Sequence, residues 1–300
     1  MDYIFGLDRG FLMPTGVAIA SLRRHITGVD RITVLHVGLD GDDVKLLERC
    51  AGGEVELRAI DCGGRLHPAW KPPAFLPQAA FCRYLAADLM PDVGRCLYVD
   101  GDVLVRRDPS ALAGADLGGR TVGAVRSRVA PFLASPGGVR SWFELGMPGA
   151  APYFNSGMLV MDLERWRALN ITSRLTEFLV QHGEDTWFSD QEALNAVLWD
   201  DWHPLDRGWN YITHVADAFL PAPEDEPEDP GIVHFAGRSK PWVAGVMPMF
   251  AEEWYQVLGS TPWAGFVPTP PATPTGVKAG ARRLVGRGVR RLRAALRELS

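Results

Sequence analysis

Residues Arg95 to Asp108 read RCLYVDGDVLVRRD. Cys96, Leu97, Tyr98 and Val99 before the first aspartate, and Val103, Leu104 and Val105 after the second, describe a buried strand interrupted by an acidic turn. Asp100 and Asp102 therefore stand at a strand end. Alternate residues of an extended chain point the same way, so the two carboxylates can converge on one point. Gly101 between them has no side chain, which lets backbone or ligand approach closely. Converging hard oxygens suit Mg²⁺ or Mn²⁺, especially where a bound diphosphate supplies further oxygens. The same three residues also suit a plain strand-ending turn whose aspartates cap backbone groups. The stretch alone does not choose between these readings.

Upstream, Asp2 to Leu7 (DYIFGL) is strand-like, Asp8 to Gly10 make a polar turn, and a helix follows from about Thr15 to His25. A second strand over Arg31 to Val37, a helix over Asp42 to Cys50 and a third strand over Glu54 to Ile60 continue the alternation. Such a pattern builds a mainly parallel, Rossmann-like α/β sheet flanked by helices. Ligands sit beyond the carboxyl ends of strands in such sheets, where Asp8 and the D-G-D both fall. No G-x-G-x-x-G follows the first strand, so dinucleotide binding is not expected. After the Pro-rich Lys71 to Pro77, the spacing of Phe81, Tyr84, Leu85 and Leu89 predicts a helix over 79–89 with Arg83 beside its apolar stripe.

Downstream, Thr121 to Val125 reads as a strand and 131–149 as an irregular loop over the site. In Tyr153 to Arg167 a polar Asn155-Ser156-Gly157 turn leads into an apolar strand and then a helix. Asn155 is either a turn residue or a ligand-binding amide. Ser189-Asp190-Gln191-Glu192 has the form of a capping box before a helix over Ala193 to Leu198, which accounts for Ser189 and Glu192 and leaves Gln191 free to point elsewhere. Trp202 to Tyr211 reads as a packed return strand, and Glu224 to Asp229 as a solvated acidic loop. Ile232 and Val233 begin a short strand. It runs into His234, a candidate metal ligand, then Gly237, where backbone can approach closely, and Lys240, a partner for phosphate.

Composition narrows the classes. Hydrophobic content of 47% with 22% charged residues is that of a globular protein. The first twenty residues lack the basic start and apolar stretch of a secretory signal, and no apolar run approaches the ~20 residues that span a bilayer. Cys50, Cys62, Cys82 and Cys96 show no C-x-x-C spacing and read as buried thiols of a reducing cytoplasm. Net charge is −5, yet from Lys278 onward eight basic residues face one acid, Glu298, so the tail carries +7 and the first 277 residues −12. An acidic body disfavours nucleic acid as a partner. The expected organisation is one domain over 1–267, a Pro/Thr-rich linker over 268–275 and a basic amphipathic helix over 276–300. Such a helix suits contact with the inner face of an anionic membrane; its alternatives are a solvated arm or packing on a partner subunit.

Taken in order, FGLDRGF, FCRYLAADLMP, YVDGDVLV, YFNSGMLVMDLERWR, DQEALNAV, LDRGWNY and HFAGRSKPW resemble the glycosyltransferase family 8 enzymes over about residues 1 to 250. The resemblance implies the GT-A fold, a UDP-sugar donor, Mn²⁺ or Mg²⁺ as cofactor, and retaining transfer of a hexose, glucose or galactose, to a glycan, lipid-linked or other hydroxyl acceptor. By motif it implies Asp100, Asp102 and His234 as metal ligands. It implies Asp8 and Phe11 at the uracil, Arg83 and Asn155 on the sugar and ribose side, Gly101, Gly237 and Lys240 at the diphosphate, and Asp190 and Gln191 beside the transferred sugar. Gln is a poor nucleophile, so a front-face displacement is expected rather than a two-step route. The alternatives are a binding protein with this fold and no turnover, and a nucleotidyltransferase. Two departures stand out: Arg9-Gly10 follow Asp8, and Arg126-Ser127-Arg128 follow the strand from Thr121 where some members carry an Asp.

Overall fold

Asp2–Asp8 buries both of its faces, with Tyr3, Phe5 and Leu7 in one apolar cluster and Ile4 in the other. A strand buried on both sides must lie inside a sheet covered above and below. The computed structural model describes residues 1–26, 31–73, 76–213 and 227–268. In it this strand is β1, followed by α1 (Leu12–Arg23), β2 (Arg31–Val37), α2 (Gly41–Ala51) and β3 (Glu56–Asp61). After a 3₁₀ segment over Gln78–Leu85 come α3 (Ala86–Leu89), β4 (Arg95–Asp100), β5 (Val103–Val105) and β6 (Val122–Arg126). The chain continues through β7 (Phe154–Asp162), α4 (Leu163–Ala168), α5 (Ile171–His182), α6 (Ser189–Val197), β8 (Trp202–Pro204), β9 (Tyr211–Ile212), β10 (Ile232–His234) and α7 (Ala251–Leu258).

The main sheet has seven strands in the order β3-β2-β1-β4-β7-β6-β8. It is mainly parallel, as expected, but β7 runs antiparallel to both β4 and β6. The second sheet is β5-β10-β9. The chain therefore changes sheets at Gly101-Asp102: β4 ends in the large sheet and β5 begins in the small one. The D-G-D is the corner between the two.

Several expectations change at the local level. The predicted helix over 79–89 is mostly 3₁₀, with one α turn at its end. Nε of Arg83 binds the Ala80 carbonyl at 2.9 Å, an acceptor that an α ladder would use. Asn155-Ser156-Gly157 is not a turn; it lies within β7, opposite a register shift between Ala124 and Val125. The capping box does not form. Phe188 is the N-cap of α6, Ser189 has φ +30° and bonds the Lys71 carbonyl, and buried Glu192 accepts from the Arg140 and Trp187 backbone N–H groups. Trp202 to Tyr211 is two short strands around a 3₁₀ turn at Arg207–Trp209. Residues 131–149 wrap a small core of Leu133, Val139, Met147 and Tyr153. Of the acidic run, Asp229 pairs with Arg106, while residues up to 226 lie outside the described residues. The tail helix and all of the linker beyond residue 268 also lie outside them. No helix among the described residues is long and apolar enough to cross a membrane.

One hydrogen bond fastens the small sheet to α1. Fully buried Ser21 accepts from the Val105 N–H at 2.9 Å and donates to the Ala18 carbonyl at 2.7 Å. Ser21→Ala leaves the Val105 N–H without its acceptor, so unfolding in urea should show a loss of about 1–3 kcal/mol. An unchanged denaturation midpoint would show that this bond does not hold the corner.

Candidate active site

The site grows from the corner. Gly101 must be glycine because a Cβ there would come within 2.2 Å of Thr15 Oγ1 on α1 and 3.3 Å of Thr15 Cβ. The Phe235 N–H bonds the Asp102 carbonyl at 2.9 Å, and β10 pairs β5 with His234 opposite Val103. His234 is thereby carried back onto the D-G-D, with Nε2 3.3 Å from Asp102 Oδ1 and 3.9 Å from Asp100 Oδ2. Beneath them runs β7, where a Cβ on Gly157 would lie 2.2 Å from His234 Cε1 and 2.9 Å from Asp100 Oδ2. Gly157 is thus a site residue that sequence reasoning passed over as turn material.

One ligand atom each from Asp100, Asp102 and His234 lies within 4.8 Å of the others. Two carboxylates and an imidazole are a donor set that fits a hard or borderline divalent cation. Asp102 is buried, which alone would push its carboxyl up, but the Lys240 ammonium outweighs burial and holds it well below the usual carboxylate range. Lys240 reaches Asp102 Oδ2 directly. Its ammonium also stands 5.8 Å from the Phe11 ring and 5.7 Å from the Trp242 ring, whose edge-to-face contact frames it. Gly237, at φ +78°, is the turn that brings Lys240 back over the corner.

Arg83 is only 3% exposed and spends its guanidinium on the protein. Nη2 binds Asp100 Oδ1 at 3.0 Å and lies 3.4 Å from Asp190 Oδ2, Nη1 binds the Ser156 carbonyl at 2.5 Å, and the group sits 4.5 Å over the Tyr98 ring. The Tyr98 hydroxyl donates to the same Asp100 oxygen at 2.7 Å. Arg83 thus anchors the two carboxylates from behind.

Asn155 and Gln191 meet as well. Asn155 Nδ2 and the Ser156 N–H both donate to Gln191 Oε1, at 2.9 and 3.0 Å, while Gln191 Nε2 faces the Tyr153 hydroxyl at 3.3 Å. Asn155 Oδ1 accepts from the Gly157 N–H at 3.0 Å and from Asn210 Nδ2 at 2.8 Å. Asn210 and Tyr153 were not singled out from the sequence. The motifs LDRGWNY and YFNSGM contain them, but only the fold shows which of their polar residues face the site. Asp8 ends β1 with Oδ1 buried and lacking a hydrogen-bond partner. Beside Asn210 a small, half-open pocket is lined by Arg126, Arg128, Arg207 and Tyr211.

The family model described as "Glycosyl transferase family 8" matches residues 2–245. General stress protein A of Bacillus subtilis (strain 168) is 30% identical over 249 residues, covering 78% of this chain and 83% of that protein. The lipopolysaccharide 1,3-galactosyltransferase of Salmonella typhimurium is 24% identical over 300 residues, covering 93% and 84%. Among solved structures, the galactosyltransferase LgtC in complex with donor and acceptor sugar analogs superposes with a TM-score of 0.74 at 23% identity, covering 91% of this chain and 98% of that one. At that identity the superposition establishes the fold.

Asp190 is the titrating group of the cluster. Burial and then nearby Asp100 push its carboxyl up, Arg83 opposes them, and the balance raises it from 3.8 to about 6. A native carboxyl that binds its proton more tightly than the unfolded one loses stability as pH rises through that window. Asp190→Asn removes the titration. Its stability relative to the parent should therefore increase between pH 3.8 and about 6 and level off above. A pH-independent difference across urea titrations would contradict the raised carboxyl.

Proposed function

The chain belongs to glycosyltransferase family 8, and from that membership we propose that it transfers a hexose, glucose or galactose, from a UDP-sugar to a hydroxyl of a glycan or lipid-linked acceptor with retention of configuration. The observation that carries the reading is the convergence of Asp100, Asp102 and His234 on one point with Lys240 beside them. These groups combine a site for a divalent cation, Mn²⁺ or Mg²⁺, with a lysine for the diphosphate. When bound, the cation supplies positive charge where negative charge develops on the departing diphosphate.

The chain's own residues do the rest. Lys240 exchanges Asp102 for a phosphate oxygen, and Gly237 lets the backbone approach the diphosphate. Gly101, with no side chain, lets the corner pack against Thr15 and so keeps the two carboxylates at the donor site. Asp8 offers an unpartnered acceptor oxygen to the N–H of a uracil, with Phe11 beside it. Arg83 keeps Asp100 and Asp190 in place from behind, and Asn155 orients Gln191 beside the transferred sugar.

The same contacts favour the front-face route. The carbonyl oxygen of Gln191 is taken by two N–H donors and one N–H of its NH₂ faces Tyr153, so what is left to face a substrate is the second N–H, a donor and not a nucleophile. Asp190 is buried and turned toward Arg83. With neither group free to attack the sugar, the acceptor hydroxyl enters on the face the diphosphate leaves, and a departing phosphate oxygen takes its proton. Arg126, Arg128 and Arg207 line one flank of the site with positive charge, a departure that bears on which acceptor is taken.

A screen of UDP-hexoses with Mn²⁺, read as UDP release, tests the proposal. At least one donor should be turned over, and Asp102→Asn should lower the rate by about 10²-fold or more. No UDP release from any donor would sink the transferase reading, and release of pyrophosphate instead would indicate nucleotidyl transfer.

A further inference from the structure

We propose that Asn210 is a positioning residue: it sets the ring tautomer of His234, and through Asn155 it links that ligand to Gln191. The inference rests on the reading of Asp100, Asp102 and His234 as a cation site.

Two backbone groups that can only donate fix the orientation of the side-chain amides. The Gly157 N–H bonds Asn155 Oδ1 at 3.0 Å, so the other end of that amide, Nδ2, points at Gln191 Oε1, 2.9 Å away. The Ser156 N–H donates to the same Gln191 oxygen at 3.0 Å, which fixes the second amide consistently with the first. Asn155 Oδ1 also faces Asn210 Nδ2 at 2.8 Å, and this turns Asn210 Oδ1 onto His234 Nδ1 at 2.9 Å. An amide oxygen only accepts, so Nδ1 carries the proton. In the neutral ring the lone pair is then on Nε2, the nitrogen that looks at Asp102 Oδ1 and Asp100 Oδ2.

A lone pair held against two carboxylates is repulsive unless positive charge stands between them. That arrangement is favourable for a corner that holds a cation. The competing tautomer would put a proton on Nε2, donate it to Asp102 and consume the lone pair. Asp102 offers the nearest alternative acceptor, so removal of Asn210 should let the proton move there. Asn210 and His234 are both buried, at 4% and 3% exposure, so bulk water is a weak substitute for the lost amide. A hydrogen bond on the outer nitrogen of a ligating histidine commonly fixes its tautomer and orientation.

The full-length chain with Asn210→Ala and Asn210→Asp tests this. Two readouts need no turnover: Mn²⁺ affinity from the electron paramagnetic resonance of free Mn²⁺, and the imidazole tautomer from long-range ¹H–¹⁵N spectra of the metal-free protein at alkaline pH. The parent should show the Nδ1 proton. Asn210→Ala should show the Nε2 proton and bind Mn²⁺ about 10–100-fold more weakly. Asn210→Asp keeps the acceptor and loses the donor to Asn155, so it should retain the Nδ1 proton and most of the Mn²⁺ affinity while kcat falls. Parental tautomer and affinity in Asn210→Ala would overturn the proposal, as would an Asn210→Asp protein that matches Asn210→Ala in both. Absence of Mn²⁺ binding in the parent would instead overturn the cation-site reading, and the metal-free spectra would still report on Asn210.

Discussion

The backbone hydrogen bond from Phe235 N–H to the Asp102 carbonyl ties the end of the large sheet to the small one, and the rest of the site depends on it. It is the step at which β10, brought in beside β5 from more than a hundred residues away, delivers His234 to the D-G-D. Two glycines make room for that meeting. Gly101 lets the corner pass Thr15, and Gly157 lets β7 run directly beneath the imidazole. Any side chain at either position would drive apart groups that must lie within a few ångströms.

A corner so arranged is electrostatically costly. Arg83, Asp102, Asp190 and His234 are all nearly excluded from water, and a buried charge without partners costs several kcal/mol. Arg83 is held by Asp100 and Asp190, and Asp102 by Lys240. Under the proposed function that cost is offset on binding, because a divalent cation and a diphosphate would bring charges that these residues can meet. The Lys240–Asp102 pair can be read the same way, with the ammonium standing where positive charge is wanted until a ligand supplies more.

Much of this was legible in the chain. The alternation of apolar strands and helices over the first sixty residues specified the parallel half of the sheet, because each of those elements is decided by its own periodicity. Asp100, Asp102, His234 and Lys240 were visible because carboxylates, imidazole and ammonium carry distinctive chemistry. What was not legible depends on contacts across the chain. The antiparallel course of β7 and the failure of the Ser189-to-Glu192 capping box go with distant partners: β4 for the strand, and Lys71 and Arg140 for Ser189 and Glu192. Asn210 and Asn155 are 55 residues apart, and nothing local to either marks the pair. Gly157 looked like a turn because a glycine needed for close approach reads the same in sequence as one needed for a turn.

Asp100, Asp102 and His234 are proposed to hold a divalent cation against a nucleoside diphosphate. Calorimetric titration of UDP into the full-length protein, with and without Mn²⁺, tests it most directly. UDP binding should depend on Mn²⁺ and be lost when the cation is chelated. UDP affinity that is the same with and without the cation, or no binding under either condition, would contradict it.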